Sequence, residues 1–359
     1  MSEVVNLGSI FNRFSSGKTI KSSDIFEVGE YPVFGGNGIR GFCDFYNFEG
    51  ECLIIGRQGA NCGNVRYFSG KAYMTEHAII GVANEYQNVG YIANKLSLMK
   101  LEQFQGQSAQ PGLSVQTLSE IPIQVPEKSV QDKVFSLLSI LDQKIALNNQ
   151  INEELEAMAK TLYDYWFVQF DFPDENGKPY KSSGGKMVYN DQLKREIPEG
   201  WGVENLSNFL TIKNGKDHKD LSDGDYPVYG SGGLMRKVED YIFEGESVLI
   251  PRKGTLNNIM YVDEKFWTVD TMFYTHMKID YATLYTYFSI KDIDFTKLNT
   301  GTGVPSMTAS ILYQLQILNP NADILKNFDE LVRTTYRMIF DNHKQNQELN
   351  QLRDWLLPM

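Results

Sequence analysis

The sequence predicts an α+β protein with two similar globular domains separated by a pair of long antiparallel helices, a coiled coil built on a pseudo-two-fold internal duplication. Three observations predict it. The chain repeats itself at a nearly constant offset; two stretches are rich in glycine, aromatics and short apolar runs; and two others keep helical apolar spacing, the first without glycine or proline. Tyr31-Pro32-Val33-Phe34-Gly35 returns 195 positions later as Tyr226-Pro227-Val228-Tyr229-Gly230, and Phe48-Glu49-Gly50-Glu51 returns as Phe243-Glu244-Gly245-Glu246. After a one-residue slip the offset is 194. It then pairs Tyr73 with Trp267, Pro111 with Pro305, and Asn152-Glu153-Glu154-Leu155 with Asn346-Gln347-Glu348-Leu349.

Residues 1–126 and 201–320 read as the two globular domains. Cys52-Leu53-Ile54-Ile55 and Ser247-Val248-Leu249-Ile250 follow glycine-bearing turns, the pattern of short buried strands. Residues 127–170 read as the first long helix. Val134, Leu138, Leu141, Ile145, Leu155, Ala159, Leu162 and Trp166 form its stripe, which Asn148 and Asn152 interrupt. Residues 321–359 read as the second, with Ile324, Phe328, Leu331, Met338, Leu349, Leu352 and Leu356, interrupted by Asn342. A pseudo-two-fold relation makes the two helices antiparallel. Leu141, Ile145, Leu155, Leu331, Met338 and Leu349 are then expected in the helix pairing. Asn148 and Asn342 are expected close together at the crossing, fixing register as a buried Asn does in coiled coils. Between the halves, 171–200 is full of turn formers and reads as a connector that redirects the chain.

The chain has 359 residues, with 42% apolar and 22% charged, which excludes a disordered chain. There is no apolar run of 18 residues and no secretory leader pattern, so a cytoplasmic protein is expected. Cys43, Cys52 and Cys62 are odd in number and none sits in a Cys-x-x-Cys pair. A disulfide framework or structural zinc is therefore not expected, and a reducing compartment fits. The net charge of −11 means that any anion site must be a local patch, since phosphate contact needs Lys and Arg.

Catalytic signatures are missing. There is no Walker loop, nucleophile elbow or His-Glu-x-x-His. Gly36-x-Gly38-x-x-Gly41 matches a dinucleotide fingerprint as a string, yet strand-like Phe42-Cys43-Asp44-Phe45-Tyr46 follows it and Gly230-Ser231-Gly232-Gly233 breaks the spacing. Glu76-His77 answers Asp270-Thr271, and a duplicated catalytic centre would not lose its base in one copy, so a structural acid is expected there. No catalytic residue, metal or resident cofactor is expected.

Two equivalent heads suit a ligand with two related features, and duplex DNA is one. Candidate contacts in the first copy are Lys18, Lys21, Arg40, Arg57, Gln58, Arg66, Ser108 and Gln110. Those in the second are Lys213, Lys216, His218, Lys219, Arg236, Lys237, Arg252, Lys253 and Thr302. Many adjoin glycine, which lets backbone approach phosphate, while Arg and Gln can contact guanine and adenine edges. Arg57 and Arg252 recur in both copies. A two-headed, non-catalytic scaffold for protein or glycan fits the same outline and is the rival reading.

The connector Asp174-Glu175-Asn176-Gly177-Lys178-Pro179-Tyr180-Lys181-Ser182-Ser183-Gly184-Gly185 leads to Ile197-Pro198-Glu199-Gly200-Trp201. With Tyr31-Pro32-Val33-Phe34-Gly35-Gly36-Asn37-Gly38, Ile250-Pro251-Arg252-Lys253-Gly254 and the closing Leu352-Arg353-Asp354-Trp355-Leu356-Leu357-Pro358-Met359, it resembles the specificity subunits of type I restriction–modification systems along essentially the whole chain. The resemblance implies two target recognition domains, each reading half of a bipartite double-stranded DNA sequence, with the helices as spacer. It also implies two methyltransferase (M) subunits, which bind S-adenosylmethionine, and restriction (R) subunits, which use ATP and Mg. DNA methylation and cleavage would belong to those partners.

Overall fold

A computed structural model describes residues 3–59, 62–106, 112–301 and 303–357. The chain forms two units, Met1–Asn148 with Lys344–Met359, and Asn149–His343.

In the first unit the elements run β1 (Glu3–Asn6), β2 (Phe11–Ser16), β3 (Tyr31–Gly35), β4 (Gly38–Cys43), β5 (Phe48–Gly56), β6 (Val65–Met74), β7 (Ala78–Ala83), α1 (Val89–Ser97), α2 (Val115–Ser119) and β8 (Pro122–Val125). Six strands form a sheet in the order β2-β7-β5-β6-β3-β4, and β1 pairs with β8. Only β3–β6 is a parallel pair in that sheet, with Val33 beside Tyr73 and Phe34 beside Met74. The run Cys52–Ile55 is continuously apolar because both faces of β5 are covered, and alternate residues point to opposite faces. Leu53 and Ile55 pack with Ile92 and Leu96 of α1, while Cys52 and Ile54 pack with Phe34, Phe48 and Met74. The long helix α3 (Lys128–Tyr163) begins in this unit.

The second unit holds the rest of α3, which ends in a π-helical turn, Asp164–Val168. The connector follows as loops and a hairpin, β9 (Met187–Asn190) with β10 (Arg195–Pro198). The Asp171 carboxylate accepts from Ser182 Oγ and N, which holds its pKa below the usual carboxylate range. Phe172 stacks between Tyr180 and Trp201, with centroids 4.7 and 5.0 Å away. The motif that carries the resemblance is therefore a folded aromatic knot.

The second domain contains β11 (Gly202–Asn205), α4 (Leu206–Phe209), β12 (Leu210–Asn214), β13 (Asp223–Gly230), β14 (Gly233–Val238), β15 (Phe243–Pro251), β16 (Met260–Thr268), β17 (Met272–Met277), α5 (Thr283–Lys291), α6 (Ala309–Tyr313) and β18 (Gln316–Asn319). Its sheet order, β12-β17-β15-β16-β13-β14, repeats that of the first, as does the β11–β18 pair. The parallel pair is also repeated, with Val228 beside Trp267. Helix α7 (Ala322–Leu356) closes the chain.

At 1.5 Å per residue, α3 and α7 are each about 50 Å long. They pack antiparallel within each unit: Asp142 meets Arg353 and Asn148 meets Asn346 in the first, Asn152 meets Asn342 and Tyr163 meets Phe328 in the second. One sequence expectation needs correction. Leu331 and Met338 are 54% and 50% exposed and do not lie in the seam. The buried face of α7 there is Leu325, Phe328, Val332, Tyr336 and Ile339, packed with Tyr285, Tyr287 and Phe288. A strict seven-residue apolar repeat drifts around a straight 3.6-residue helix, and burying a large side chain is worth about 1.5–3 kcal/mol. The aromatic domain wall therefore decides which face turns inward. Leu141 is buried, and Ile145, Leu155 and Leu349 are partly buried.

The asparagines bond across the helix pair, though not to each other. Asn148 donates to Gln345 and Asn346 (2.7 and 2.9 Å), and Asn342 donates to Asn152 (2.8 Å). Each thus bonds to the repeat counterpart of a neighbour one turn away on its own helix, and the same pair forms once in each unit.

Candidate nucleic-acid interface

Each domain gathers its loops around the turn between its last two sheet strands, and the same backbone bonds do so in both. Arg57 N donates to His77 O (2.9 Å), as Arg252 N does to Thr271 O (2.8 Å). Leu113 N donates to Arg57 O, as Met307 N does to Arg252 O. Thr75 N reaches Phe34 O at the end of the β3–β4 hairpin, and Val269 N reaches Tyr229 O in β13. Lys18 N donates to Met74 O and Lys216 N to Thr268 O, both at 2.9 Å. Gln58 bridges Gly112, and Lys253 bridges Ser306. Gly59 and Gly254 share φ +88°, a left-handed conformation that favours glycine, two residues after each arginine.

These bonds bring together, in each copy, the Gly-Lys loop, the hairpin tip, the arginine loop and the segment before α2 or α6. In the first copy Lys18, Arg40 and Arg66 are exposed and Arg57 and Gln58 partly so; Lys21 is exposed beside a 3-10 turn. Neither Arg40, Arg57 nor Arg66 makes an ion pair among the described residues. In the second copy Lys216 and Lys253 are exposed, and Arg252 lies 5.9 Å over the Phe273 ring beside a recess of about 230 Å³ lined by Asn214, Ser306 and Thr308. Lys237 is exposed on β14.

Other candidates are placed differently. Arg236 is spent on structure: its guanidinium donates to His218 O and Leu221 O (2.8 and 2.6 Å) and lies 3.6 Å from Asp223. A fork whose donors are held by backbone carbonyls pins the preceding loop, and the expectation of a free Arg236 is corrected. Lys219 lies 3.9 Å from Asp217, which also caps the N–H groups of His218 and Lys219. Lys213 sits on the sheet edge opposite Tyr274, apart from the turn. Ser108, Gln110 and Thr302 lie outside the described residues. The sequence reading missed the organising role of the Thr75–Ala78 and Val269–Met272 turns. Their signal was present, in that Glu76-His77 and Asp270-Thr271 recur at the repeat offset.

No group of three or more His, Cys, Asp or Glu able to hold a metal occurs among the described residues. No described helix is long and apolar enough to cross a membrane.

Comparison with known proteins follows the same outline. A sequence profile described as "Type I restriction modification DNA specificity domain" matches residues 1–157 and 198–346. The chain is 40% identical over 151 residues to the "Type I restriction enzyme EcoprrI specificity subunit" of Escherichia coli, covering 41% of this chain and 37% of that protein. It is 27% identical over 315 residues to the "Type I restriction enzyme MjaIX specificity subunit" of Methanocaldococcus jannaschii, covering 77% and 68%. In fold it is similar to the "Type-I restriction-modification system S subunit from M. genitalium", with TM-score 0.72, 16% identity, and 99% and 95% of the two chains covered.

Proposed function

This chain belongs to the family of type I restriction modification DNA specificity domains, and from that premise we propose that it is the DNA-sequence specificity subunit of such a complex. Each sheet domain reads one half of a bipartite duplex target, α3 and α7 set the spacing between the halves, and the chemistry belongs to partner subunits. The observation that carries this reading is the repeated turn. Five backbone contacts recur between the two copies and present, from equivalent loops, cations without an ion pair among the described residues. Base edges are read by such side chains, and phosphates anchor them.

The paired helices also offer apolar groups to a partner, and offer them twice. Leu137 and Leu352 are 48% and 43% exposed in the first unit. Their repeat counterparts Leu331 and Met158 are 54% and 66% exposed in the second, where they line a groove of about 580 Å³. Two methyltransferase subunits using S-adenosylmethionine dock there in this reading. Restriction subunits using ATP and Mg join that assembly.

Exchanging residues 1–126 for the matching domain of a relative should change one half of the methylated sequence only. Removing one heptad from both helices should change the gap and leave both halves intact. Co-expression with a methyltransferase subunit should give a complex with two such chains per copy of this one. Unchanged methylation after both alterations, with no co-purification, overturns the reading.

A further inference from the structure

The two hairpin tips differ in one consistent respect. Arg40 on β4 lies over Gly35: a Cβ there would stand 2.5 Å from its Cδ. Arg66 on β6 lies over Gly38, where a Cβ would stand 2.6 Å from its guanidinium. Both arginines are exposed and without an ion pair among the described residues. At the repeat offset their counterparts are Met235 and Met260. Strand registers agree, since Ile54 faces Arg66 where Leu249 faces Met260. Met235 keeps the same path, with its sulfur 2.6 Å from a Cβ built at Gly230. It is 56% exposed, beside Leu234 at 52%. Leu234 answers Ile39, which is 55% exposed, so both tips carry an aliphatic group, and they differ in that the second copy has thioethers where the first has two guanidinium groups.

Resting on the function proposed above, we infer that the hairpins read different base chemistry. Arg40 of the β3–β4 hairpin and Arg66 of β6 beside it contact guanine in one half-site, and Met235 of the β13–β14 hairpin contacts the methyl group of thymine in the other. Arginine offers paired donors to the guanine O6 and N7 acceptors, and an apolar side chain matches the thymine methyl. The two glycines leave room for this passage, and a side chain at 35 or 38 would push the arginine off it. The second copy keeps Arg252, Lys253 and Lys216 in its loops and Lys237 further along β14, where they can hold phosphate.

The test uses the full chain in complex with its methyltransferase partner, with methylation mapped across a genomic DNA library. Arg40→Met and Arg66→Met should each relax a G·C position in one half-site, lowering discrimination there roughly 10- to 100-fold and leaving the other half-site unchanged. Met235→Ala should relax an A·T position in the opposite half-site by a smaller factor. Thermal melting of each variant and its co-purification with the partner establish that it folds. Gly38→Ala, which displaces Arg66 without removing it, should reproduce Arg66→Met. An even loss of methylation at all sequences would mean phosphate contact only, and overturns the inference. So does unaltered specificity in a folded variant. A wild-type complex that binds no duplex overturns the proposed function as well, which separates the two failures.

Discussion

The two copies anchor their long helix to the same sheet with polar and apolar positions exchanged. In the first unit the opening turn of α3 is polar. Gln131, fully buried, accepts from Asn88 N and donates to Gln87 and to Pro126 O. One turn on, Phe135 packs edge-on to Tyr67 at 5.0 Å and presses on Gly90, where a Cβ would stand 2.1 Å from the ring. In the second unit the counterpart of Gln131 is Leu325, fully buried among aromatics. The counterpart of Phe135 is Asp329, 1% exposed at its side chain and bound to Arg333, which also grips Glu246 at 2.5 and 2.9 Å. Tyr261, counterpart of Tyr67, donates to Glu246 and stacks on Phe340 of α7 at 5.8 Å, where Tyr67 meets Phe135 edge-on. Duplication fixed where the helix meets the sheet, while the chemistry of the lock diverged, because either a matched polar set or a matched apolar set fills the same space.

The sharpest way to break this comparison is to remove one charge. Arg333→Ala leaves Asp329 and Glu246 without their cation, and should cost about 3–5 kcal/mol in urea unfolding followed by tryptophan fluorescence. Giving the second unit the residues of the first, Asp329→Phe with Arg333→Ser, should recover most of that loss. A double variant as unstable as Arg333→Ala would show that the two locks are not interchangeable. On the apolar side, Phe135→Ala should cost about 2–3 kcal/mol, below the value for a fully buried phenyl because Phe135 is only partly buried. Gly90→Ala should cost about 1–3 kcal/mol through overpacking against the same ring.

The asparagine pairs are a polar side-chain feature that both copies share. Asn148→Ala strips a buried partner from Asn346 and should cost about 1–2 kcal/mol; Asn342→Ala, with one bond to Asn152, should cost less. Equal effects would mean that the second bond of Asn148, to Gln345, contributes nothing.

The smallest effect is a pH dependence confined to the second unit. Burial, and then the charge of Lys213, hold His276 below the usual imidazole range. The folded state therefore binds fewer protons than the unfolded one. Stability of this unit should decline as pH falls below about 6.5, and level off once the depressed folded value is passed. His276→Val, the residue found at position 82 in the first copy, should flatten that slope between pH 5 and 7. A slope unchanged by the substitution removes His276 as its cause.

Much of the site and fold was legible in the residues. Offset matches such as Tyr31–Gly35 with Tyr226–Gly230 mark strands that must pair identically, because backbone bonds follow from spacing. The missing glycine and proline from 128 to 163 leave few alternatives to a helix. Arg57 and Arg252 were visible as repeated loop cations. The engagement of Arg236 was not, since its carbonyl partners His218 and Leu221 are set by how a loop folds back. Leu331 and Met338 looked like seam residues because apolar spacing alone does not say which of two adjacent stripes faces the larger wall.

The sequence by itself determined that this chain is one architecture written twice, with two long helices and a turn-rich connector, because periodicity and repetition are properties of order along the chain. The tertiary structure decided the rest. Only it settled which helix face is buried, which asparagines bond, which arginines stay free, and that Arg40 and Arg66 pass over glycines where Met235 does in the other copy. Those outcomes depend on packing and on the competition for hydrogen-bond partners between segments distant in sequence, and local spacing does not encode who wins that competition.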